Sequence, residues 1–319
     1  MPKWSFWALV AAVVLSPGIT QSAEMPRIGL LSWSSCERLP TALMAGLGEL
    51  GYIPGKTFTL ECRSSEQSYD RLQPAAEELV RASVDVIVAT SHPTARAAHL
   101  ATDTIPIVMI ASGDPVGSGL VSSLAHPGGN VTGLSYYATE LTEKRLQMLH
   151  ELVPSASLIG VLSNPAVSYL PFEGDTKRAA LSLDLRLAIH RVSTPTDLAP
   201  AFAEMTTEGA KAVFVLPDLM LGSEAEQIAE LALRHRLPTM AWGGWFTKAG
   251  VLMAYSAEYP AMGRALASYV DKILKGAKPA DLPIDQPTRF VLSINVKTAT
   301  ALGIEIPPQL GVRAEEVIE

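Results

Sequence analysis

The chain has 319 residues, of which 48% are hydrophobic and 18% are charged, and its formal net charge is −7. This composition is ordinary for a globular protein, and the length is sufficient for two lobes of typical size. The acidic balance disfavours a nucleic-acid-binding surface, and the scattered histidines and two cysteines show no zinc-type spacing. We therefore expect neither nucleic acid nor a cofactor among the partners.

The N-terminal segment is separate from the rest of the pattern. Lys3 precedes a short apolar run at residues 4–15, and small residues near Ala23 offer a cleavage point. This order is typical of a secretory signal peptide over residues 1–23, and the run is short for a membrane span. The alternative is an uncleaved anchor. Either way, the segment predicts export.

The next segment alternates strand-like and helix-like runs. Apolar strands are predicted in "RIGLLSW", "TFTLECR", "VDVIVAT" and "IPIVMI", with helices over 41–50, 69–81 and 94–102. Such strands, separated by amphipathic helices, indicate a parallel sheet that is covered on both faces.

The two cysteines follow neighbouring predicted strands. Cys36 comes after the first strand and Cys62 ends the second. An exported chain meets oxidising conditions, so a disulfide is one reading and two free thiols are the other.

The pattern restarts in the second half. Helices are predicted over 139–152, 176–182, 196–207 and 223–236, between the strands "LIGVLS", "LRLAIHRV", "KAVFVLP" and "LPTMAW". The segment around Pro74 matches the one around Pro200, and His92 matches Asp218 at the same offset of 126 residues. A repeat of this length suggests two similarly wound α/β lobes, the alternative being chance similarity between α/β units.

The C-terminal region has the pattern of a connection between lobes. "VLMAYSA" is a predicted strand, followed by a helix with Pro260 in its first turn, a proline-rich linker, and then "RFVLSIN" as another strand before a short helix. A segment that returns to both lobes would cross the hinge several times.

Chemical motifs of common enzymes are missing from the sequence. It contains no phosphate loop, no dinucleotide-binding glycine fingerprint and no G-x-S-x-G nucleophile motif. Polar and aromatic residues recur instead at the C-terminal ends of predicted strands, where ligands bind in open α/β sheets. These candidate ligand-binding residues are Trp33, Ser34, Ser91, His92, Thr94, Asp114, Ser135, Tyr136, Asn164, Asp218, Trp242 and Gly243.

Two of these groups suggest a ligand that carries both charges. Ser91, His92 and Thr94 begin a helix whose free amides favour an anion such as a carboxylate, although Ser91 and Thr94 are equally well explained as N-caps. Asp218, in the other half, would meet a cationic group. Trp33, Tyr136 and Trp242 are candidates for an apolar wall, and each is also an ordinary core residue type.

Longer motifs resemble a known family. "GDPVGSGLV", "PGGNVTG" and the ending "ILKG…INVKTATALG", together with "YDRLQPAAEELVRASVDVIVA", are similar to ABC-transporter substrate-binding proteins of the tryptophan/tyrosine type. The resemblance runs from about Pro26 to the C-terminus. It implies a periplasmic binding protein type I fold: two Rossmann-like, doubly wound lobes with parallel sheets, joined by a multi-strand hinge.

The resemblance also implies an organisation and roles for residues. Lobe 1 would comprise 26–134 with about 255–285, and lobe 2 would comprise 135–254 with about 286–319. Within "TSHPTA" lies the helix start that grips a ligand carboxylate in relatives; Asp218 would meet an amino group, and Asn164 and Asp114 match motif positions. The first loop, His92 and "WGGWF" depart from the family pattern.

The expected function is that of a non-catalytic, monomeric periplasmic protein of an ABC importer. It would close on a small molecule, an amino acid or a related aromatic or carboxylate compound, and deliver it to a membrane permease. The alternatives are a ligand-sensing module for a membrane receptor and a sugar-nucleotide-type enzyme on the same scaffold.

Overall fold

The computed structural model of the protein describes residues 25–37, 39–111, 113–136 and 139–319. The predicted signal peptide lies outside these residues. The described chain forms one five-stranded and one seven-stranded sheet, each the centre of a lobe. Within the described ranges, none of the helices combines the length and apolar character needed to span a bilayer.

Lobe 1 is built on a fully parallel sheet in the order β2-β1-β3-β4-β5. Its central strand β3 is short, apolar and completely buried, as expected for a strand covered on both faces. The strands are β1 (Arg27–Ser32), β2 (Thr59–Ser64), β3 (Val86–Ala89), β4 (Ile107–Ala111) and β5 (Val131–Ser135). The helices packed on them are α1 (Thr41–Glu49), α2 (Leu72–Arg81), α3 (His92–Ala101) and, from the C-terminal region, α10 (Tyr259–Leu274).

Lobe 2 is built on the sheet β12-β11-β10-β9-β8-β6-β7. Its strands are β6 (Leu158–Ser163), β7 (Arg186–Arg191), β8 (Ala212–Val215), β9 (Thr239–Ala241), β10 (Met253–Ala257), β11 (Phe290–Asn295) and β12 (Ala314–Ile318). Its helices are α4 (Thr139–Leu152), α5 (Phe172–Ser182), α6 (Leu198–Thr207), α7 (Leu219–Ser223), α8 (Ala225–Arg234), α9 (Gly244–Lys248), α11 (Val296–Leu302) and α12 (Pro308–Arg313).

The two lobes share one winding order. The order β7-β6-β8-β9-β10 in lobe 2 repeats β2-β1-β3-β4-β5 in lobe 1. α2 and α6, and likewise β3 and β8, begin and end at positions that correspond under the offset found in the sequence. Lobe 2 then departs from a purely parallel sheet, because β11 runs antiparallel to β10 with Phe290 paired to Ala257. The chain leaves β10 and re-enters through β11 at the same end of the sheet, so the two strands must run in opposite directions.

The chain passes between the lobes at three places. These are the connection from β5 to α4, the step from β10 to α10, and the segment between Asp285 and β11. Asp285 is held beside β5, since its N–H donates to the Gly133 carbonyl at 3.0 Å and its carbonyl accepts from the Ser135 N–H at 2.9 Å. β10 ends at Ala257, shortly after the predicted start of the returning segment near residue 255.

Cys36 and Cys62 are joined by a disulfide in the structure. β1 and β2 are parallel neighbours, so the segments that leave them lie at the same edge of the sheet. The bridge ties the loop after β1 to the last part of β2, and it is the first of the two alternatives left open by the sequence.

Candidate functional site

A cavity of about 210 Å³ lies between the lobes, at the C-terminal ends of the central strands. Lobe 1 and the crossing segments contribute one side, and the loops of lobe 2 contribute the other. The lining residues are Thr90, Ser91, Pro93, Tyr136, Val167, Leu170, Pro217, Asp218, Leu219, Gly222, Ser223, Trp242, Trp245 and Tyr259. Four of the twelve predicted site residues are among them: Ser91, Tyr136, Asp218 and Trp242.

The lobe 1 wall is the start of α3. Ser91 is its N-cap, and a capping box joins it to Thr94: the Thr94 N–H donates to the Ser91 hydroxyl at 3.3 Å, and the Ser91 N–H donates to the Thr94 hydroxyl at 3.0 Å. Ser91 lines the cavity, whereas Thr94 is buried outside the lining. Because Pro93 has no N–H and the Thr94 N–H is already bonded, this helix start offers few free donors to an anion.

His92 does not line the cavity. It is completely buried, and neither ring nitrogen has a hydrogen-bond partner among the described residues. Burial lowers the pKa of His92 to about 4; nearby Asp114 opposes this shift and Arg96 adds to it. The ring is therefore neutral at neutral pH and does not supply a positive charge to the site.

The lobe 2 wall is centred on Asp218, the N-cap of α7. One carboxylate oxygen accepts from the Leu221 N–H at 2.8 Å and from the Asn164 side-chain amide at 3.2 Å, and the other accepts from the Tyr69 hydroxyl. Burial raises the pKa of the Asp218 carboxyl, although these three hydrogen bonds and a fourth from the Met220 N–H favour its charged form. Asn164 does not line the cavity; it positions Asp218 and also caps the turn after β6 through the Ala166 N–H.

Aromatic side chains close the remaining wall. Trp242 and Trp245 meet edge to face with ring centroids 4.7 Å apart, and Trp245 meets Tyr259 in the same way at 5.2 Å. The hydroxyls of Tyr136 and Tyr259 are 3.3 Å apart. Gly243 supports this wall from behind, since a Cβ at that position would lie 2.3 Å from the Trp245 ring.

The two tryptophans differ in their hydrogen bonds. The Trp245 indole N–H donates to the Gly222 carbonyl at 3.2 Å. The Trp242 indole N–H is buried and has no partner among the described residues. A buried donor without a partner at the edge of a cavity is the type of group that a ligand acceptor satisfies.

A buried cation lies behind the tyrosines. Arg145, on α4, donates from Nε to the Tyr255 carbonyl at 2.8 Å and interacts electrostatically with the hydroxyls of Tyr259 and Tyr136. Burial lowers the pKa of Arg145, but a guanidinium stays protonated in proteins. The cavity therefore has a carboxylate in one wall and a positive charge behind another.

The other predicted residues are close to the cavity but outside its lining. Trp33 is buried and bonds to the opposite lobe, and the Ser34 carbonyl accepts from the Ser64 hydroxyl at 2.8 Å. Asp114 caps its own loop through the Val116 N–H at 3.0 Å and lines a separate, polar cavity. Ser135 is buried at the end of β5.

Sequence reasoning missed ten of the fourteen lining residues and also Tyr69, and three of the missed residues carry aromatic side chains. Trp245 and Tyr259 line the cavity, and Tyr69 bonds to Asp218. Trp245 stands in the same "WGGWF" segment as Trp242, so its signal was present. Tyr259 also had a signal, because it comes two residues after the end of β10. Tyr69 lies five residues beyond the end of β2 and carried none.

The protein has two α/β lobes with the same strand order, and the chain passes between them three times. Both lobes line the cavity that lies between them. This arrangement is that of a solute-binding protein with the periplasmic binding protein type I fold. The chain belongs to the ABC transporter substrate binding protein family, whose family model matches residues 30–318. It is thus a substrate-binding protein of the ABC transporter type.

Individual relatives extend over nearly the whole chain. A "Tyrosine-binding protein" from Clostridioides difficile is 27% identical over 290 residues, which cover 90% of this chain and 83% of the relative. A solved ABC domain from Streptococcus pneumonia in complex with L-Trp is 26% identical, with a TM-score of 0.83 over 92% of this chain and 99% of that one. A conserved domain protein from Vibrio cholerae is 27% identical, with a TM-score of 0.84 over 92% and 100% of the two chains.

Proposed function

We propose that the mature chain is a monomeric, non-catalytic periplasmic protein that binds a single amino acid with an aromatic side chain and presents it to an ABC permease. In this proposal the N-terminal segment is a signal peptide cleaved near residue 23. The ligand occupies the cavity between the lobes, and closure of the hinge encloses it.

The observation that supports this proposal most strongly is the environment of the Asp218 carboxylate. In the part of the chain that the structure describes, the donors that bond to this carboxylate are all neutral: the Tyr69 hydroxyl, the Asn164 amide and the backbone N–H groups of Leu221 and Met220. Among the described residues, no lysine or arginine forms an ion pair with it. A ligand ammonium group supplies the positive charge that these neutral donors lack, and a charge partner stabilises a buried carboxylate strongly.

Other groups around the cavity favour a ligand that carries hydrogen-bond acceptors. Trp242, whose indole N–H has no partner among the described residues, and Ser91 both line the cavity, and Arg145 lies behind Tyr136 and Tyr259. A carboxylate is the acceptor that suits these groups best. Together with Asp218, they match the two charges of an amino acid.

The size and walls of the cavity narrow the ligand class. A volume of about 210 Å³ is below the roughly 300–1,000 Å³ of pockets for drug-sized molecules, which favours a ligand of amino-acid size. Trp242, Trp245, Tyr136 and Tyr259 give an aromatic surface on which a ring can pack. Relatives described as tyrosine-binding and as complexed with L-Trp support an aromatic side chain.

The proposal is tested by calorimetry with four compounds: L-tyrosine, L-tryptophan, tyramine, which lacks the carboxylate, and 3-(4-hydroxyphenyl)propionate, which lacks the amino group. The amino acids should bind more tightly than either truncated analogue. Asp218→Asn should lower the affinity for L-tyrosine by about 100-fold or more, in line with losing a buried charge partner. It should change the affinity for the propionate much less.

Asp271→Asn is the matched control, because Asp271 also accepts a tyrosine hydroxyl, that of Tyr52 at 3.0 Å, but lies away from the cavity. It should leave all four affinities unchanged. Equal losses for L-tyrosine and the propionate in Asp218→Asn would remove the proposed role of the carboxylate. Absence of binding by all four compounds would refute the ligand class.

A further inference from the structure

Tyr69 crosses from one lobe to the other. It lies in lobe 1, in the 3-10 turn Tyr69–Arg71 that leads into α2. Its hydroxyl donates to the Asp218 carboxylate and accepts from the Leu219 N–H at 3.2 Å, and both of these groups belong to lobe 2. Burial and the adjacent Asp218 charge raise the pKa of the Tyr69 hydroxyl, so it keeps its proton and acts as the donor.

Trp33 makes a second crossing beside the first. It follows β1 in lobe 1, and its indole N–H donates to the Ser223 hydroxyl at 3.0 Å. The rings of Trp33 and Tyr69 pack against each other with centroids 4.7 Å apart. Asp218 precedes α7 and Ser223 ends it, so the two lobe 1 side chains hold both ends of this short helix.

These contacts are made by protein atoms alone. Neither Tyr69 nor Trp33 lines the cavity, yet both bond to residues that do: Asp218, Leu219 and Ser223. A hydrogen bond between the lobes exists only when the lobes are closed; in the open arrangement its donor and acceptor bond to water instead. The difference in free energy between these two situations favours closure. Bonds to a charged group, such as that from Tyr69, are the stronger kind.

We propose that Tyr69 and Trp33 are positioning residues that latch the lobes together through α7, so that the closed arrangement is populated before the ligand binds. The latch also orients the Asp218 carboxylate towards the cavity. Since apparent affinity scales with the fraction of protein in the binding-competent state, the latch strengthens binding without touching the ligand. The part of this inference that concerns the ligand rests on the proposed function; the closure itself does not.

The test compares small-angle X-ray scattering of the unliganded mature protein with that of Tyr69→Phe, Trp33→Phe and the double variant. Tyr69→Phe removes only the hydroxyl that crosses between the lobes. Trp33→Phe keeps an aromatic ring and removes the indole N–H, but it also makes the buried side chain smaller. The wild type should scatter as the closed structure does, and the double variant should have a larger radius of gyration. A thermal unfolding curve for each variant shows that it is folded.

Tyr52→Phe is the matched control. The Tyr52 hydroxyl also donates to an aspartate, Asp271, at 3.0 Å, but both residues belong to lobe 1. Its scattering should equal that of the wild type. The latch is refuted if the unliganded wild type and the double variant have the same radius of gyration, or if Tyr52→Phe expands as much as Tyr69→Phe.

A second measurement uses L-tyrosine as the probe in stopped-flow binding. The double variant should bind it about tenfold more weakly, which corresponds to about 1.4 kcal/mol, with the loss mainly in faster dissociation. Unchanged affinity and dissociation rate would overturn the coupling between the latch and binding. If the wild type does not bind L-tyrosine, the proposed ligand is wrong, while the scattering experiment still decides the latch.

Discussion

Replacing His92 by leucine should make the protein more resistant to acid. His92 is completely buried, and its ring nitrogens have no partners among the described residues. Its pKa is lowered from 6.5 to about 4 by burial, so in the folded protein it resists protonation, whereas in the unfolded chain it protonates at its ordinary pKa. Below pH 6.5 the unfolded state binds more protons than the folded state, and stability falls as the pH falls towards 4.

The size of the effect follows from the two pKa values. The native histidine should cost about 1.4 kcal/mol of unfolding free energy at pH 5.5 and about 3 kcal/mol at pH 4, relative to pH 7.5. Below pH 4 the folded state also protonates and the loss stops growing. Leucine at this position removes the titration and two unsatisfied polar atoms, so it should not destabilise the protein at pH 7.5.

Urea unfolding of the wild type and His92→Leu at pH 7.5, 6.5, 5.5 and 4.5 measures this difference. The gap between the two proteins should widen in favour of the variant as the pH falls. His126→Leu is the control, because His126 is exposed, and its gap to the wild type should stay constant. A gap for His92→Leu that does not depend on pH would show that the buried ring is not the source of acid sensitivity.

Further substitutions test the backbone conformation of two glycines and the contribution of the disulfide to stability. Gly133 has a φ of +127°, and a Cβ there would lie 2.2 Å from the Met109 carbonyl oxygen, so Gly133→Ala should cost more than about 3 kcal/mol of unfolding free energy. Gly276→Ala, with a φ of +95° and open space around it, should cost only about 1 kcal/mol in the same urea titration. Replacing Cys36 and Cys62 by serine opens a loop with a sequence separation of 26 residues and should cost about 3.5 kcal/mol, measured against the oxidised wild type. A loss under about 1 kcal/mol would show that the bridge does not constrain the unfolded chain.

Much of the fold was predictable because it depends on local patterns. Runs such as Val86–Ala89 are apolar at every position, and the helices between the strands have one buried face. The correspondence of α2 with α6 follows from the 126-residue repeat in the sequence. The sequence predicted β11 as a strand but not its antiparallel direction, because that direction depends on where the chain re-enters lobe 2. The C-terminal strand β12 was not predicted.

The site was predictable only in part, for a different reason. Ser91, Asp218 and Trp242 follow strands of their own lobe, so the strand-end rule reaches them. Thr94 and Asn164 follow the same rule, but in the structure they hold Ser91 and Asp218 in place. Tyr69 meets Asp218 only because two lobes close on each other, and sequence position does not record that contact.

Helix capping alone does not explain the charge at position 218. Asparagine would also cap α7, because Asn and Asp are similarly effective N-caps. Its single amide oxygen would still accept from the Leu221 N–H, although its NH2 group would then face the Tyr69 hydroxyl. A buried carboxylate, by contrast, carries a desolvation cost that its neutral hydrogen-bond donors only partly offset, in line with the raised pKa of Asp218. A group kept ionised in a cavity at such a cost is explained by a cation that arrives from outside, and the ammonium group of an amino acid is a cation of suitable size. The latch and the ligand therefore share one residue: the latch uses one carboxylate oxygen of Asp218, and the ligand supplies the charge partner that the carboxylate lacks.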